Sequence, residues 1–265
     1  MQPAVDQRSS LLAAYDEQLR GAAEMQGVPS WDRDGPLYRG VLAREGFVSY
    51  RSLAGVADLD ALIERTVGYF AGLGRIEQFE WKTRGHDRPT DLGARLQRAG
   101  LVPEDVETVM VGEAVRLAVE VPLPAGVRIR RIDQLPERAA AVAAASRMQR
   151  AVFGTGPSST ELLARLDRMD GAEQFWVAEA GDRVVCAGRL VRVAGTAFAG
   201  LWGGATDPAW RGRGIYRALT AARAAAAIEG GVRYLHSDCT ALSRPILQRS
   251  GLVAVTTTTP YRWRR

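Results

Sequence analysis

Between Asp58 and Phe70 the apolar residues Leu59, Leu62, Ile63, Val67 and Phe70 recur at helical intervals, which predicts an amphipathic helix. Ser10–Arg20 carries a second helical pattern. Gln78–Lys82 is read as a strand, whereas Val41–Arg51, reached through Pro29, Gly35 and Pro36, shows no chemical signature. Beyond Pro122, Pro124 and Gly126 the alternation of Val127–Ile132 predicts a strand, and alanine-rich Gln134–Met148 a helix. Ser158-Ser159-Thr160-Glu161 has the form of an N-cap with an acid in the first turn, opening a helix that runs to about Met169. Phe175–Ala180 and Arg183–Val193 read as a hairpin across Gly181-Asp182, and Thr196–Thr206 as the next strand. Ile215–Ile228 should be a helix closed by Gly230-Gly231. This order predicts an α/β (α+β) fold with a mixed central sheet flanked by helices.

Leu96-Gln97-Arg98-Ala99-Gly100-Leu101-Val102 recurs as Leu247-Gln248-Arg249-Ser250-Gly251-Leu252-Val253, differing at one position. An Arg-Pro pair precedes each copy, Arg88-Pro89 and Arg244-Pro245. Before each pair lies a strand-like run, Phe79–Thr83 or Leu235–Thr240, and after each copy a β-rich one, Thr108–Val111 or Val255–Thr259. We read a duplicated strand–helix–strand unit. Two related domains are therefore expected, at 1–122 and 126–265. The first should be truncated, because no glycine-rich turn precedes its copy.

With 265 residues, 46% hydrophobic and 25% charged, the chain has the composition of a globular protein and room for two cores. No stretch approaches the length of a membrane span, and Met1–Arg8 lacks the pattern of a secretion signal, so no membrane partner and a cytoplasmic location are expected. Cys186 and Cys239 stand at no metal or redox spacing, which predicts free thiols and no metal. Charge is uneven: residues 1–125 carry 14 Lys+Arg against 19 Asp+Glu, residues 126–265 carry 21 against 11, and the net is +5. A basic half can attract nucleic acid or a polyanionic small molecule, and nucleic acid is disfavoured because no motif for it is present.

The segment from Thr206 to Tyr216 carries the strongest chemistry. A strand passes through Asp207-Pro208 and the turn Arg211-Gly212-Arg213-Gly214 into a helix, which gathers free backbone N–H groups at one helix N-terminus. Glycines permit close approach of a diphosphate, and Arg211 and Arg213 add charge. By itself Arg-Gly-Arg-Gly fits equally an RNA-binding repeat or a plain surface loop.

In its setting, the stretch from about Val127 to Trp263 resembles the GNAT superfamily of acetyltransferases, whose turn of the form Arg/Gln-x-x-Gly-x-Gly/Ala here reads Arg211-Gly212-Arg213-Gly214-Ile215-Tyr216. Tyr216 replaces the usual small residue, so either the turn opens or the tyrosine points away from the phosphates. The resemblance implies acetyl-CoA as co-substrate. Gly204, Ala205 and Thr206 would meet the pantetheine arm, and Arg211, Gly212, Arg213, Gly214, Ile215, Tyr216 and Arg217 the diphosphate. Gly203-Gly204 falls where the family's fourth strand bulges and parts from the fifth. It also implies direct transfer to a small-molecule or peptide amine, with a non-catalytic acetyl-CoA sensor as the alternative. Tandem GNAT proteins are similar in pairing one competent with one degenerate half. A homodimer stays open.

Catalytic residues are harder to place. The family's tyrosine pattern puts Thr240, Ser243, Ile246 and Leu247 at its Asn, Ala, Leu and Tyr positions, so the tyrosine is absent. Ser243 either hydrogen-bonds the sulfur or arm of the co-substrate or, like Thr240, caps the helix at Pro245. Asp238 is the first candidate for proton removal and His236 the second, against the alternatives of an ion-paired carboxylate and a packed histidine. Cys239 is read as buried packing.

Overall fold

A computed structural model describes residues 3–265, so Met1 and Gln2, which belong to the expected first domain and to the stretch read for a secretion signal, lie outside the described residues. In chain order the elements begin α1 (Pro3–Gln18), β1 (Ser30–Asp34), β2 (Leu37–Leu42), β3 (Glu45–Tyr50), α2 (Leu59–Gly72), β4 (Gln78–Arg84), α3 (Leu92–Arg98), β5 (Val102–Pro103) and β6 (Glu107–Glu113). They continue α4 (Ala114–Leu117), β7 (Val127–Arg131), α5 (Arg138–Phe153), α6 (Ser159–Arg168), β8 (Glu173–Ala180), β9 (Arg183–Arg192) and β10 (Phe198–Thr206). Last come α7 (Ile215–Glu229), β11 (Tyr234–Cys239), α8 (Arg244–Arg249) and β12 (Val253–Arg264). The fold is the expected mixed α/β arrangement. Among the described residues no helix is long and apolar enough to cross a membrane.

The chain divides into two compact units that are interleaved in sequence. One holds the chain to Met110 with Asp238–Arg244 and Ala254–Arg265, and the other holds Val111–Ser237 with Pro245–Val253. This division differs from the consecutive stretches 1–122 and 126–265 expected from the sequence. Backbone pairing is the reason: β12 runs antiparallel to β4, from Thr258 opposite Arg84 to Arg264 opposite Gln78, so the trailing strand of the second copy completes the first unit. The trailing strand of the first copy, β6, ends in the second unit, where the Ala114 N–H donates to Arg233 O at 2.8 Å.

In the first unit the strand order is β1-β2-β3-β4-β12, with β5 on β12; only β3 and β4 are parallel, joined by α2. The apolar stripe of α2 supplies Leu59, Leu62, Ile63 and Phe70 to the core. Phe70 stacks on Phe79 at 4.5 Å, and Phe79 on Trp263 at 5.6 Å. Gly46 admits this ring, since a Cβ there would stand 2.4 Å from Phe70.

The second unit orders its strands β7-β8-β9-β10-β11, antiparallel except for β10 and β11, which are parallel and joined by α7. Ser158 is the expected N-cap of α6, and with Glu161 it forms a complete capping box. The parallel pair joined by a helix recurs in both units, so β3-α2-β4 answers to β10-α7-β11.

The repeated heptads are equivalent structures. Leu101 N–H donates to Leu96 O at 3.0 Å and Leu252 N–H to Leu247 O at 3.1 Å, around Gly100 at φ 86 and Gly251 at φ 106. Each heptad thus ends its helix with the same glycine-dependent closure, and both leucine pairs are buried.

Candidate functional site

The glycine-rich turn leaves the end of β10. The register of β10 against β9 shifts between Trp202 and Ala205, and Gly203 takes φ 60, so the expected bulge is present. Asp207 accepts from the Ala209 N–H at 2.9 Å, closing a short turn over Pro208–Trp210. Arg211 Nε then donates back to Thr206 O at 3.2 Å, while the Arg213 guanidinium covers Trp210 at 4.8 Å. Gly212 at φ 74 and Gly214 at φ 76 occupy the left-handed region, where a side chain is strained. A Cβ on Gly212 would meet nothing within 4 Å, so the space above the turn is open.

α7 begins at Ile215 with Gly214 as its N-cap and no side-chain cap. Its first-turn N–H groups, at Ile215, Tyr216 and Arg217, lack helical acceptors by geometry and carry the positive end of the helix dipole. Ile215 is buried, whereas Arg211, Gly212, Arg213, Gly214 and Arg217 are exposed. Tyr216 turns toward the sheet: a Cβ on Gly204 would lie 2.5 Å from its Oη. Of the two expected alternatives, this is the tyrosine directed away from the turn. Ala205 is buried, and the Thr206 hydroxyl lies 3.2 Å from Cys186 Sγ.

The equivalent helix of the first unit differs at the point that matters. Asp58 caps α2, its Oδ1 accepting from the Ala61 N–H at 2.9 Å, and Asp60 follows in the first turn. A helix start already occupied by a carboxylate repels a diphosphate.

Asp238, the sequence's first candidate base, lies in the first unit, where its Oδ2 accepts from Lys82 Nζ at 2.6 Å. Lys82 is also 3.3 Å from Glu24, whose carboxylate takes Arg84 Nη2 at 2.8 Å and the Ser49 hydroxyl. Arg84 Nε donates to Tyr15 Oη at 2.7 Å. Two cations and two carboxylates thus neutralise each other inside this unit. Ser243 occupies the N-cap position of α8, its N–H bonded to Thr240 O at 3.1 Å and its Oγ 3.4 Å from Thr240 Oγ1. Leu247, at the family's tyrosine position, is core.

Burial pushes the Glu24 carboxyl up, but Arg84 and Lys82 outweigh it and hold the group at about 2 against an ordinary 4.5. A carboxyl depressed by folding stabilises the folded state above its unfolded pKa and loses that contribution as pH falls through its folded one. The unfolding free-energy gap between wild type and Glu24→Gln, read by urea denaturation, should therefore be constant above pH 4.5 and shrink toward pH 2. A gap unchanged through that window contradicts the network.

The other face of the second unit brings Arg189 and Gln149, which sequence reading did not single out, together with Trp202 and with His236, the second candidate base. Gly188 of β9 faces α7, since its Cβ would meet the Arg223 guanidinium at 2.6 Å. Arg189 therefore faces α5, and so does Trp202, its register partner on β10. His236 of β11 lies edge-on to Trp202 at 5.3 Å, and Gln149 of α5 donates to Gly203 O at 2.5 Å. The available signal was a charged residue inside the apolar run Val184–Val191.

Residues 113–238 match the profile of the acetyltransferase (GNAT) domain. Among solved structures, a GCN5-related N-acetyltransferase from Kribbella flavida is similar at 15% identity and TM-score 0.67, covering 99% of this chain and 96% of that one. A tandem GNAT protein from the clavulanic acid biosynthesis pathway is similar at 13% identity and TM-score 0.66, with 97% and 95% covered. A functionally unknown conserved protein from Staphylococcus epidermidis is similar at 12% identity and TM-score 0.63, with 88% and 93% covered. No curated protein matches the sequence.

Proposed function

We propose that this chain, whose residues 113–238 carry a GNAT acetyltransferase domain, is an N-acetyltransferase that moves an acetyl group from acetyl-CoA to the amine of a small-molecule or peptide acceptor. The observation that carries this reading is the uncapped N-terminus of α7 beneath an open glycine turn, directly after a bulged strand. That cradle suits a diphosphate in charge and in space: Arg211, Gly212, Arg213, Gly214, Ile215, Tyr216 and Arg217 would hold it through backbone N–H groups and the guanidiniums of Arg211 and Arg213. Gly204, Ala205 and Thr206 would offer strand backbone to the pantetheine arm.

Acetyl-CoA would supply an acyl group activated as a thioester. In direct transfer the amine nitrogen bonds to the acetyl carbon as the C–S bond breaks, the amine gives up a proton and the thiolate takes one. Burial first, then Asp238 and Glu107, pushes the Cys239 thiol up to about 11, and burial holds Cys186 at about 11, so both stay protonated at neutral pH and no acyl-cysteine is invoked. Asp238 is neutralised by Lys82, and we give it and Ser243 no chemical role. His236, beside Trp202 on the α5 face, is the residue we assign to proton removal.

Release of free CoA across a panel of amines tests this. His236→Gln should lower kcat by about a hundredfold, the scale of general-base catalysis, with acetyl-CoA affinity unchanged. Asp238→Asn should cost stability while folded protein keeps its turnover. A fall in kcat with Asp238→Asn and none with His236→Gln reverses the assignment. The second reading, an acetyl-CoA-binding sensor, is favoured by one feature, the buried Leu247 where the family has tyrosine. Binding by calorimetry with no CoA release from any amine selects it.

A further inference from the structure

In the second unit two guanidiniums share one buried carboxylate. Glu173 has a fully buried side chain that serves two arginines: Oε1 accepts from Arg189 Nη1 at 2.9 Å, and Oε2 from Arg165 Nε at 2.6 Å. Arg223 is fully buried too and bonds only neutral acceptors, Leu219 O at 3.3 Å, Arg189 O at 3.0 Å and Thr220 Oγ1 at 3.1 Å. Among the described residues no carboxylate pairs with it. Glu173 therefore faces two guanidiniums, while Arg223 lies on the α7 side of β9 and adds repulsion on Arg189. Burial, followed by the repulsion of Arg165 and Arg223, outweighs Glu173 and holds the Arg189 guanidinium below its ordinary pKa, as an under-compensated cation should be.

The surplus has a direction. Arg189 spends Nη1 on Glu173, while its Nε and Nη2 lie 3.3 and 3.5 Å from the point where a Cβ on Gly203 would stand. Its side chain keeps 16% exposure, and among the described residues Nε and Nη2 donate to no acceptor. Gln149 ties down the Gly203 carbonyl, Trp202 lies opposite Arg189 in register, and His236 stands against Trp202. A forked donor beside an aromatic wall, with one edge uncommitted, matches a carboxylate.

We propose that this corner is the acceptor pocket and that it takes an amine whose molecule also carries a carboxylate, an amino-acid-like acceptor held through Arg189. The inference rests on the acetyl-transfer reading. It opposes the cationic acceptor that the acidic residues of 1–125 would suggest, because the charge nearest the bulge is positive.

The test measures kcat/KM with acetyl-CoA for the protein amino acids, their amides and the corresponding decarboxylated amines. A charge-assisted hydrogen bond predicts a preference of about tenfold or more for the carboxylate member of the best set, expressed mainly in KM. Arg189→Gln should erase that preference and leave the acetyl-CoA Kd unchanged, while Arg189→Lys retains part of it. An amide or decarboxylated amine used as well as the amino acid overturns the proposal. This comparison needs only the wild-type chain, so it holds even where Arg189→Gln does not fold. A parallel titration of N-acetyl amino acids and their amides into CoA-loaded protein separates the two claims. Carboxylate-selective binding without turnover upholds the pocket and overturns acetyl transfer, whereas turnover without carboxylate selectivity does the reverse. Absence of selectivity in both assays overturns the pocket.

Discussion

Replacing Gly214 with valine and Arg211 with alanine should weaken acetyl-CoA binding by about a hundredfold or more, equivalent to about 2.7 kcal/mol. Gly214 sits at φ 76, where a β-branched residue is strained by roughly 1–3 kcal/mol, and relief of that strain rotates the first N–H groups of α7 away from the turn. Arg211 contributes exposed charge at the same place, and its bond to Thr206 O braces the loop. Because Ile215 and the rest of the buried face of α7 are untouched, the double variant should stay folded, with a lowered Tm. Calorimetric titration of acetyl-CoA against a circular-dichroism melt checks both halves. Affinity within threefold of wild type would place the cofactor elsewhere.

Lys82→Met should cost about 3–5 kcal/mol, the scale for removing one member of a buried ion pair. Lys82 is the chain's only lysine and stands between Asp238 and Glu24, with 16% of its side chain exposed and 5% and 13% of theirs. Burial opposes its charge, yet Asp238 and Glu24 together raise its pKa, so it remains an ammonium throughout the neutral range. Its removal leaves Asp238 in the interior without its cation and Glu24 with Arg84 alone. Urea unfolding measures the loss. The double variant Lys82→Met with Asp238→Asn should recover much of it, and failure of any such recovery would show that the pair does not act as a unit.

What the sequence made legible was local. The Ser158 N-cap, the turn into α7 and the doubled heptad follow from side-chain chemistry and backbone preference within a few residues, whereas the bulge at Gly203-Gly204 was expected from the family resemblance. The antiparallel β1–β3 meander was missed in part because Ala43, rather than a glycine, takes φ 53 between β2 and β3. The return of β12 to the first unit was invisible because its pairing with β4 depends on hydrogen bonds between residues far apart in the chain. Asp238 illustrates the same limit: its alternation on β11 was readable, but its partner lies 156 residues away. Arg189 stood in plain view as a charge in an apolar strand, yet only the positions of Glu173 and Gly203 give that charge a direction.

The duplication makes the number of cofactor sites the sharpest question. The two units share a parallel strand pair bridged by a helix, but α7 starts at a bare glycine and α2 at a carboxylate. Titration of acetyl-CoA into the wild-type chain by calorimetry should therefore saturate at one equivalent per chain. Two equivalents, or no heat of binding at all, would contradict the account.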